Sequence, residues 1–436
     1  MMTSPRHAIK PFGPITTCQV CEASGLRSVL FLGYLPPVNR MVPVGQPFDQ
    51  EPWFPAELLV CPTCHLAQLG YAVDPAILFP PEYPYTSGST RLLRENFAQL
   101  YREARSLLGL APDDVVVDIG SNDGTLLSNF QQGGHRVVGI EPSLTAMLAR
   151  DRGIPTLMTF FTQEAIEQVR QEYGNPRLVT ATNVFAHIHN VHQVMDHLEQ
   201  LVGESGVFIS ESHYLGGLIK TLQYDTIYHE HLRYYSLTSL RALLESHGFR
   251  IFHVKRIPTH GGSIRVYASK STRFPQRPSV ERLLQEEHEA GLAGEEWIDP
   301  FARRVRESRL RLYELLARVK RQGGRIVGIG APSRASTLLT YVGLDDGILD
   351  CVFEIAGSQK IGKYMPGTKI PVREESALYA EQPSHALLLS WHLASELCQN
   401  LKRKGYAGEF LVPLPRPRRV ASARVRLASL PAAGKL

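Results

Sequence analysis

The stretch Val115-Val116-Val117-Asp118-Ile119-Gly120-Ser121-Asn122-Asp123-Gly124-Thr125 decides how this 436-residue chain is read. An unbroken apolar run, an acid near its end and glycines at the first and fifth loop positions predict a buried strand, a tight loop and a helix start. Working outward, Arg136-Val137-Val138-Gly139-Ile140, Leu178-Val179-Thr180 and Val207-Phe208-Ile209 read as further parallel, buried strands. Strands alternating with helical segments imply a doubly wound α/β sheet. Upstream, Leu92, Leu93, Phe97, Leu100, Ala104 and Leu107 share one face of a helix expected over 91–108. Downstream, a charge-dense stretch over 281–322 spaces Phe301, Val305, Leu312, Leu316 and Val319 as one long connecting helix. A second α/β pattern follows over 325–329, 350–354 and 386–390.

The loop chemistry narrows the ligand. Gly120 and Gly124 let a backbone approach a ligand closely. A dinucleotide site asks for G-x-G-x-x-G to admit a pyrophosphate. Here Ser121, Asn122 and Asp123 separate the glycines, and Asp118 and Asp123 bring negative charge that repels a pyrophosphate and favours a sulfonium with an α-amino group. The next strand runs into Glu141, placed to take two ribose hydroxyls. Asn183 follows the strand beginning at Leu178, where ligands meet a parallel sheet. This combination resembles the class I S-adenosylmethionine (SAM) methyltransferases. The expected cofactor-binding residues are Asp118, Gly120, Asn122, Gly124, Glu141 and Asn183.

Cysteine spacing points to a metal. Cys18 and Cys21 form one C-x-x-C pair, and Cys61 and Cys64 another. Two such knuckles complete a closed tetrahedral site for a structural Zn²⁺ with no open position for catalysis. Cys351 and Cys398 stand alone in apolar runs and read as core residues. The net charge of +5 is unevenly spread. Residues 416–436 carry six Lys and Arg and no acid, so the remainder is net −1. That balance speaks against a nucleic-acid partner. No segment approaches the roughly 18 apolar residues of a membrane span, and the opening residues lack an apolar signal stretch. A cytoplasmic protein is expected, with no membrane partner.

A third group of residues is a candidate for acid/base chemistry. Asn183-Val184-Phe185-Ala186-His187 puts a histidine just past a strand end, and Tyr228-His229-Glu230-His231 follows farther on. The H-E-H triplet lacks the spacing by which H-E-x-x-H holds a metal. As acid/base chemistry it is coherent: histidine takes a proton near neutral pH, a carboxylate orients it, and a tyrosine steadies an oxyanion. A satisfied polar core cluster is the bland alternative.

The run Asp225-Thr226-Ile227-Tyr228-His229-Glu230-His231-Leu232, followed by Tyr234-Tyr235-Ser236-Leu237, resembles the hallmark of the nucleotide-deoxysugar C-methyltransferases. The two Cys pairs, Tyr83-x-Tyr85, Asn183 to His187, His260-Gly261-Gly262-Ser263-Ile264-Arg265, Gly330-Ala331-Pro332, Gly362 to Gly367 and Val412 to Pro415 match in order. The resemblance implies a zinc-binding domain over 1–80, a SAM-dependent methyltransferase domain over 81–280 and a Rossmann-like, nucleotide-sugar-binding domain over 281–415. A basic tail over 416–436 is expected to be disordered. It also implies methylation of carbon 3 of a dTDP-linked 4-keto-deoxysugar, with His231 as base and Tyr228, Glu230, His187 and Tyr85 around the substrate.

The chain departs from the family pattern at Ser333 to Thr337, at Glu354 to Ser358 and at His392, in the expected nucleotide-sugar region. Arg334 and Lys360 are phosphate candidates there by charge. The competing reading is an O- or N-methyltransferase of another small acceptor. No oligomeric state follows from the sequence.

Overall fold

The computed structural model describes residues 12–47, 51–79, 88 and 90–420. The chain folds into two compact units, each assembled from separate stretches. The first comprises Met1–Leu30, Glu57–Leu218 and His229–Ile298, and the second Phe31–Ala56, Ile219–Tyr228 and Asp299–Leu436. Compaction therefore crosses the linear segments expected from sequence: residues 31–56 and 219–228 both belong to the second unit.

In the first unit, helix α1 (Arg91–Leu108) opens with the Thr90 hydroxyl accepting from the Leu93 N–H at 3.4 Å and closes on Gly109 at φ 61. Its buried stripe is Leu93, Phe97, Leu100, Ala104 and Leu108. The sheet that follows contains β1 (Val115–Ile119), β2 (Arg136–Ile140), β3 (Thr156–Leu157), β4 (Leu178–Thr182), β5 (Val207–His213), β6 (Arg250–Ile257) and β7 (Ser263–Ser269). Its spatial order is β3-β2-β1-β4-β5-β7-β6, with β7 antiparallel to both β5 and β6. Along β1, Val115, Val117 and Ile119 enter one core cluster and Val116 the other. Both faces are thus covered, which explains why the run is apolar without alternation. Strand order reverses beside β1, where β2 and β4 flank it, so the carboxyl ends of β1 and β4 open a crevice. Helices α2 (Thr125–Gln132), α3 (Thr145–Asp151) and α4 (Val191–Val202) follow the ends or loops of β1, β2 and β4.

The same unit holds a small antiparallel ladder. Leu58, Leu59 and Val60 pair with Leu69, Gln68 and Ala67, and Gln68 and Ala67 pair onward with Arg233 and Tyr234.

The stretch over 281–322 is not one helix. It forms α5 (Pro278–Glu289) and α6 (Ile298–Arg321), interrupted by a turn in which Gly291 adopts φ +71. Gly291 and Gly294 remove the helix propensity that the flanking charged residues supply.

The second unit carries a six-stranded sheet: β8 (Ile326–Ile329), β9 (Val352–Glu354), β10 (Val372–Glu374), β11 (His385–Leu388), β12 (Glu409–Val412) and β13 (Arg418–Val420). Its order is β10-β9-β8-β11-β12-β13, parallel except for β13. Helix α7 (Ser333–Val342) follows β8. The expectation of disorder from residue 416 fails for Arg418–Val420, which pair with Val412, Leu411 and Phe410. An edge strand tolerates arginines because its outer side faces water. Residues 421–436 lie outside the described residues. Among those described, no helix is long and apolar enough to cross a membrane.

Candidate active site

Cys18, Cys21, Cys61 and Cys64 converge in the first unit, their sulfur atoms all within 4.8 Å of one another. Cys18 and Cys64 Sγ approach to 3.4 Å, as do Cys21 and Cys61 Sγ. Tetrahedral zinc with 2.3 Å bonds separates its sulfurs by about 3.8 Å, so the cluster needs only slight expansion. The N–H groups of Val20 and Cys21 point to Cys18 Sγ, and that of Thr63 to Cys61 Sγ, each at 3.4 Å. Such donors stabilise thiolates. Burial meanwhile pushes the Cys21 thiol up to about 11, a cost that a bound cation relieves. The donor set fits a structural Zn²⁺.

The glycine loop fits SAM in its backbone and corrects the charge argument in one place. Gly120 and Gly124 sit at φ +70 and +74, and a Cβ on Gly120 would lie 2.5 Å from Val184 Cγ2. Both conditions demand glycine. Asn122 is itself left-handed at φ 51, and its N–H donates to Glu141 Oε2 at 3.0 Å. Glu141 Oε1 accepts from the Ser143 N–H and hydroxyl at 2.9 and 2.6 Å. The carboxylate is fixed, with acceptor capacity left on each oxygen for a ribose diol.

Asp118 is fully buried and accepts the Thr180 hydroxyl at 2.6 Å. Burial raises its pKa to about 7, assisted by the charges of Glu141 and Glu211 and opposed by the Thr180 bond. Asp123 does not serve as free negative charge for a ligand. Its carboxylate meets Arg152 Nη1 at 3.1 Å and accepts from the Gly88 N–H at 3.0 Å and the Thr125 hydroxyl at 2.7 Å. At the facing strand end, Asn183 is left-handed at φ 58 with a buried Oδ1 that lacks a partner, and Ser121 Oγ is likewise unsatisfied. Buried orphan acceptors beside a glycine cradle are what a polar ligand completes.

Four imidazoles gather beyond this crevice, all in the first unit. His187 and His231 have ring centroids 4.9 Å apart, His231 and His213 5.1 Å, and His213 and His260 5.2 Å. His187 lies in the loop after β4, His213 ends β5, and His260 occupies the turn before β7 at a left-handed φ of 55. Burial drives the His187 pKa down to about 4, with Arg233 and His260 pushing the same way and the Glu230 backbone opposing. His187 is therefore a neutral ring at physiological pH, with Nδ1 buried and unpartnered.

Two buried arginines hold these elements. Arg233 donates to the Phe185 carbonyl at 3.3 Å, to the Ile188 carbonyl and to the Gln19 side chain. Two residues before His213, Glu211 accepts from Arg265 Nε at 2.5 Å and from Asn96 at 2.8 Å, locking β5 to β7 and α1. Sequence reading did not single out His213, Arg233 or Glu211 as parts of a site. His213 had a usable signal, since β5 ends beside β4 and ligands meet parallel strands at their carboxyl ends.

Glu230 and His231 are buried in this unit. Tyr228, three residues earlier in the chain, belongs to the second unit, and Tyr85 lies outside the described residues. Arg334 is not placed for phosphate. Its Nε and Nη2 donate to Asp225 Oδ2 and Oδ1 at 2.8 and 2.7 Å, while Trp391 Nε1 donates to the same Oδ2 at 2.7 Å. This clamp anchors the segment ending in Tyr228 to α7. Lys360 Nζ donates to the Ala331 carbonyl at 2.6 Å, and Glu354 accepts the Ala331 N–H at 2.6 Å. The Gly330-Ala331-Pro332 loop is thus satisfied by its own neighbours.

Three family models match the chain in series: a domain described as zinc binding over 18–79, a methyltransferase domain over 92–254 and a C-methyltransferase C-terminal domain over 258–415. The C-methyltransferase NovU of Streptomyces niveus is 35% identical over 412 residues, covering 94% of this chain and 98% of that protein. Among solved structures, a SAM-dependent methyltransferase from Anabaena variabilis aligns at 16% identity over 40% of this chain and 85% of its own, with a TM-score of 0.33. The magnesium protoporphyrin IX methyltransferase of Synechocystis with bound SAH aligns at 20% identity over 40% of this chain and 82% of its own, with a TM-score of 0.32. With a class I sheet order, a glycine cradle for SAM, a four-cysteine zinc lobe and a relative matched along nearly its whole length, this chain belongs to the SAM-dependent C-methyltransferases.

Proposed function

We propose that the enzyme methylates carbon 3 of a nucleotide-linked 4-keto-deoxysugar through an enolate, with His231 as the base. Forming a carbon–carbon bond to a methyl group requires a nucleophilic carbon. A C–H beside a ketone becomes one only when a base takes its proton and a donor holds the oxygen. The observation that carries the reading is the contact between the His231 and His187 rings, 4.9 Å apart, one of them neutral. His231 removes the proton. His187, whose burial keeps it from becoming an imidazolium, and Tyr228 flank the developing oxyanion. The family pattern adds Glu230, Tyr228 and Tyr85 around the sugar, and a carboxylate beside the base can orient it. SAM supplies the electrophilic methyl group when bound. Asp118, Asn122, Glu141 and Asn183 orient it, and the buried crevice excludes water from the enolate.

The test is a panel of nucleotide-linked 4-keto-deoxyhexoses, with their 4-hydroxy counterparts, incubated with SAM and read by mass and by carbon connectivity. A 14-dalton gain on carbon 3 of the ketone supports the proposal. A gain on oxygen or nitrogen, or equal activity on the 4-hydroxy compounds, overturns it.

A further inference from the structure

We propose that His213 and His260 continue the catalytic pair as a proton relay, carrying the proton taken from carbon 3 away from His231 toward solvent. The inference rests on the reading of His231 as base. Its ground is the order of the rings. His231 touches His213 and His213 touches His260, at centroid distances of 5.1 and 5.2 Å. The rings meet at 71° and 51°, and at that spacing a rotation that turns ring nitrogens toward one another brings them roughly 3 Å apart, within hydrogen-bonding reach. His231 is buried, whereas His213 and His260 are each partly open, with the His260 Nε2 itself buried.

The backbone is committed to this arrangement. His213 ends β5 opposite Ser263 of β7, and the Tyr214 N–H donates to the Gly262 carbonyl at 3.1 Å. His260, Gly261 and Gly262 all hold positive φ, at 55, 87 and 127. A histidine in that region is unfavourable unless its side chain is needed where the turn puts it. Charge on His260 also lowers the His187 pKa, so these two rings are electrostatically coupled.

The reaction has a proton to dispose of. The carbon 3 C–H bond breaks, its electron pair enters the enolate, and the proton joins one ring nitrogen of His231. His231 releases the proton of its other nitrogen to His213, His213 does the same to His260, and His260 releases one to water. No electrons are exchanged. The rings are left neutral as the opposite tautomers and reset by rotation or exchange.

The experiment uses the full-length, zinc-loaded enzyme and a dTDP-linked 4-keto-deoxyhexose in deuterium oxide. It compares deuterium incorporation at carbon 3 in the presence of S-adenosylhomocysteine with methylation in the presence of SAM. A working relay lets the abstracted proton escape before it returns to carbon. In His213→Phe the ratio of exchange to methylation should fall at least tenfold and recover with added imidazole. His260→Asn is the second variant, because asparagine accepts the left-handed turn but carries no proton. The same fall is expected there. A ratio unchanged in both variants, with exchange and methylation declining together, overturns the relay. His231→Ala checks the base separately: it should lose exchange and methylation alike, and persistence of exchange would remove the base assignment and the relay with it.

Discussion

Arg233 donates a hydrogen bond to the side-chain oxygen of Gln19, the residue beside zinc ligand Cys18, and two more to the carbonyls of Phe185 and Ile188 that bracket His187. One buried cation therefore connects the metal knuckle with the histidine loop inside the first unit. The zinc lobe is thereby tied to the loop that carries His187, although its four ligands leave no catalytic position on the metal.

Removing zinc should consequently cost turnover as well as stability. Cys61→Ser is expected to lose one zinc per chain and at least tenfold in kcat, whereas Cys398→Ser keeps both. Metal analysis alongside steady-state kinetics checks this. Arg233→Lys should retain zinc yet lose about 2–3 kcal/mol in urea denaturation, since three carbonyl-type acceptors lose their planar donor.

The Asp118 carboxyl titrates near 7 because it is buried, and SAM carries a sulfonium. A cationic ligand favours the ionised acid. SAM affinity should rise with pH up to about tenfold per unit below 7 and level off above it. Calorimetry from pH 5.5 to 8.5 should give this curve for the wild type and a flat one for Asp118→Asn. The stability sign is opposite in the free enzyme. A folded pKa above the unfolded one means the folded state keeps a proton that the unfolded state sheds, so this contribution is full at acid pH and is lost as pH climbs from about 4 to 7.

In the second unit, Arg334→Ala leaves Asp225 buried without its cation. Breaking a buried pair in this way costs about 3–5 kcal/mol. Hydrogen exchange over 219–228 should accelerate, while Arg334→Met with Asp225→Asn should recover much of the loss. Loss of nucleotide affinity with unchanged protection over 219–228 would instead return Arg334 to a phosphate role.

Legibility varied with how local each interaction is. The strand carrying Asp118, the glycine loop and α1 were legible because apolar runs and capping residues act over a few neighbours. The broken connection at Gly291 was legible in principle, but the charged periodicity on either side outweighed it. Arg334 was misjudged because its partner Asp225 lies 109 residues away, and charge counting cannot see a buried acid. For the same reason Arg152 hid the neutralisation of Asp123. The ring order His187-His231-His213-His260 was not legible, because it depends on β5 lying between β4 and β7. The interleaving of residues 31–56 and 219–228 into the second unit likewise leaves no local trace.

His187→Phe keeps a ring in the pocket without a hydrogen-bond donor. Loss of the polar ring flanking the oxyanion is expected to lower kcat by about 10²–10³ with little change in KM. The wild-type profile should show no inflection from His187 between pH 5 and 8, because burial holds its pKa at about 4. A lowered histidine pKa stabilises the fold above the usual histidine range, a contribution lost as pH falls from about 6.5 toward 4.

The central claim is that His231 takes the proton from carbon 3. Its most direct measurement is deuterium incorporation at that carbon of a dTDP-linked 4-keto-deoxyhexose, in deuterium oxide without any methyl donor, for wild type and His231→Ala. The wild type should exchange, and the variant should be slower by about 10²–10⁴ while keeping its zinc and its SAM affinity. Exchange by the variant at a rate near that of the wild type would contradict the assignment.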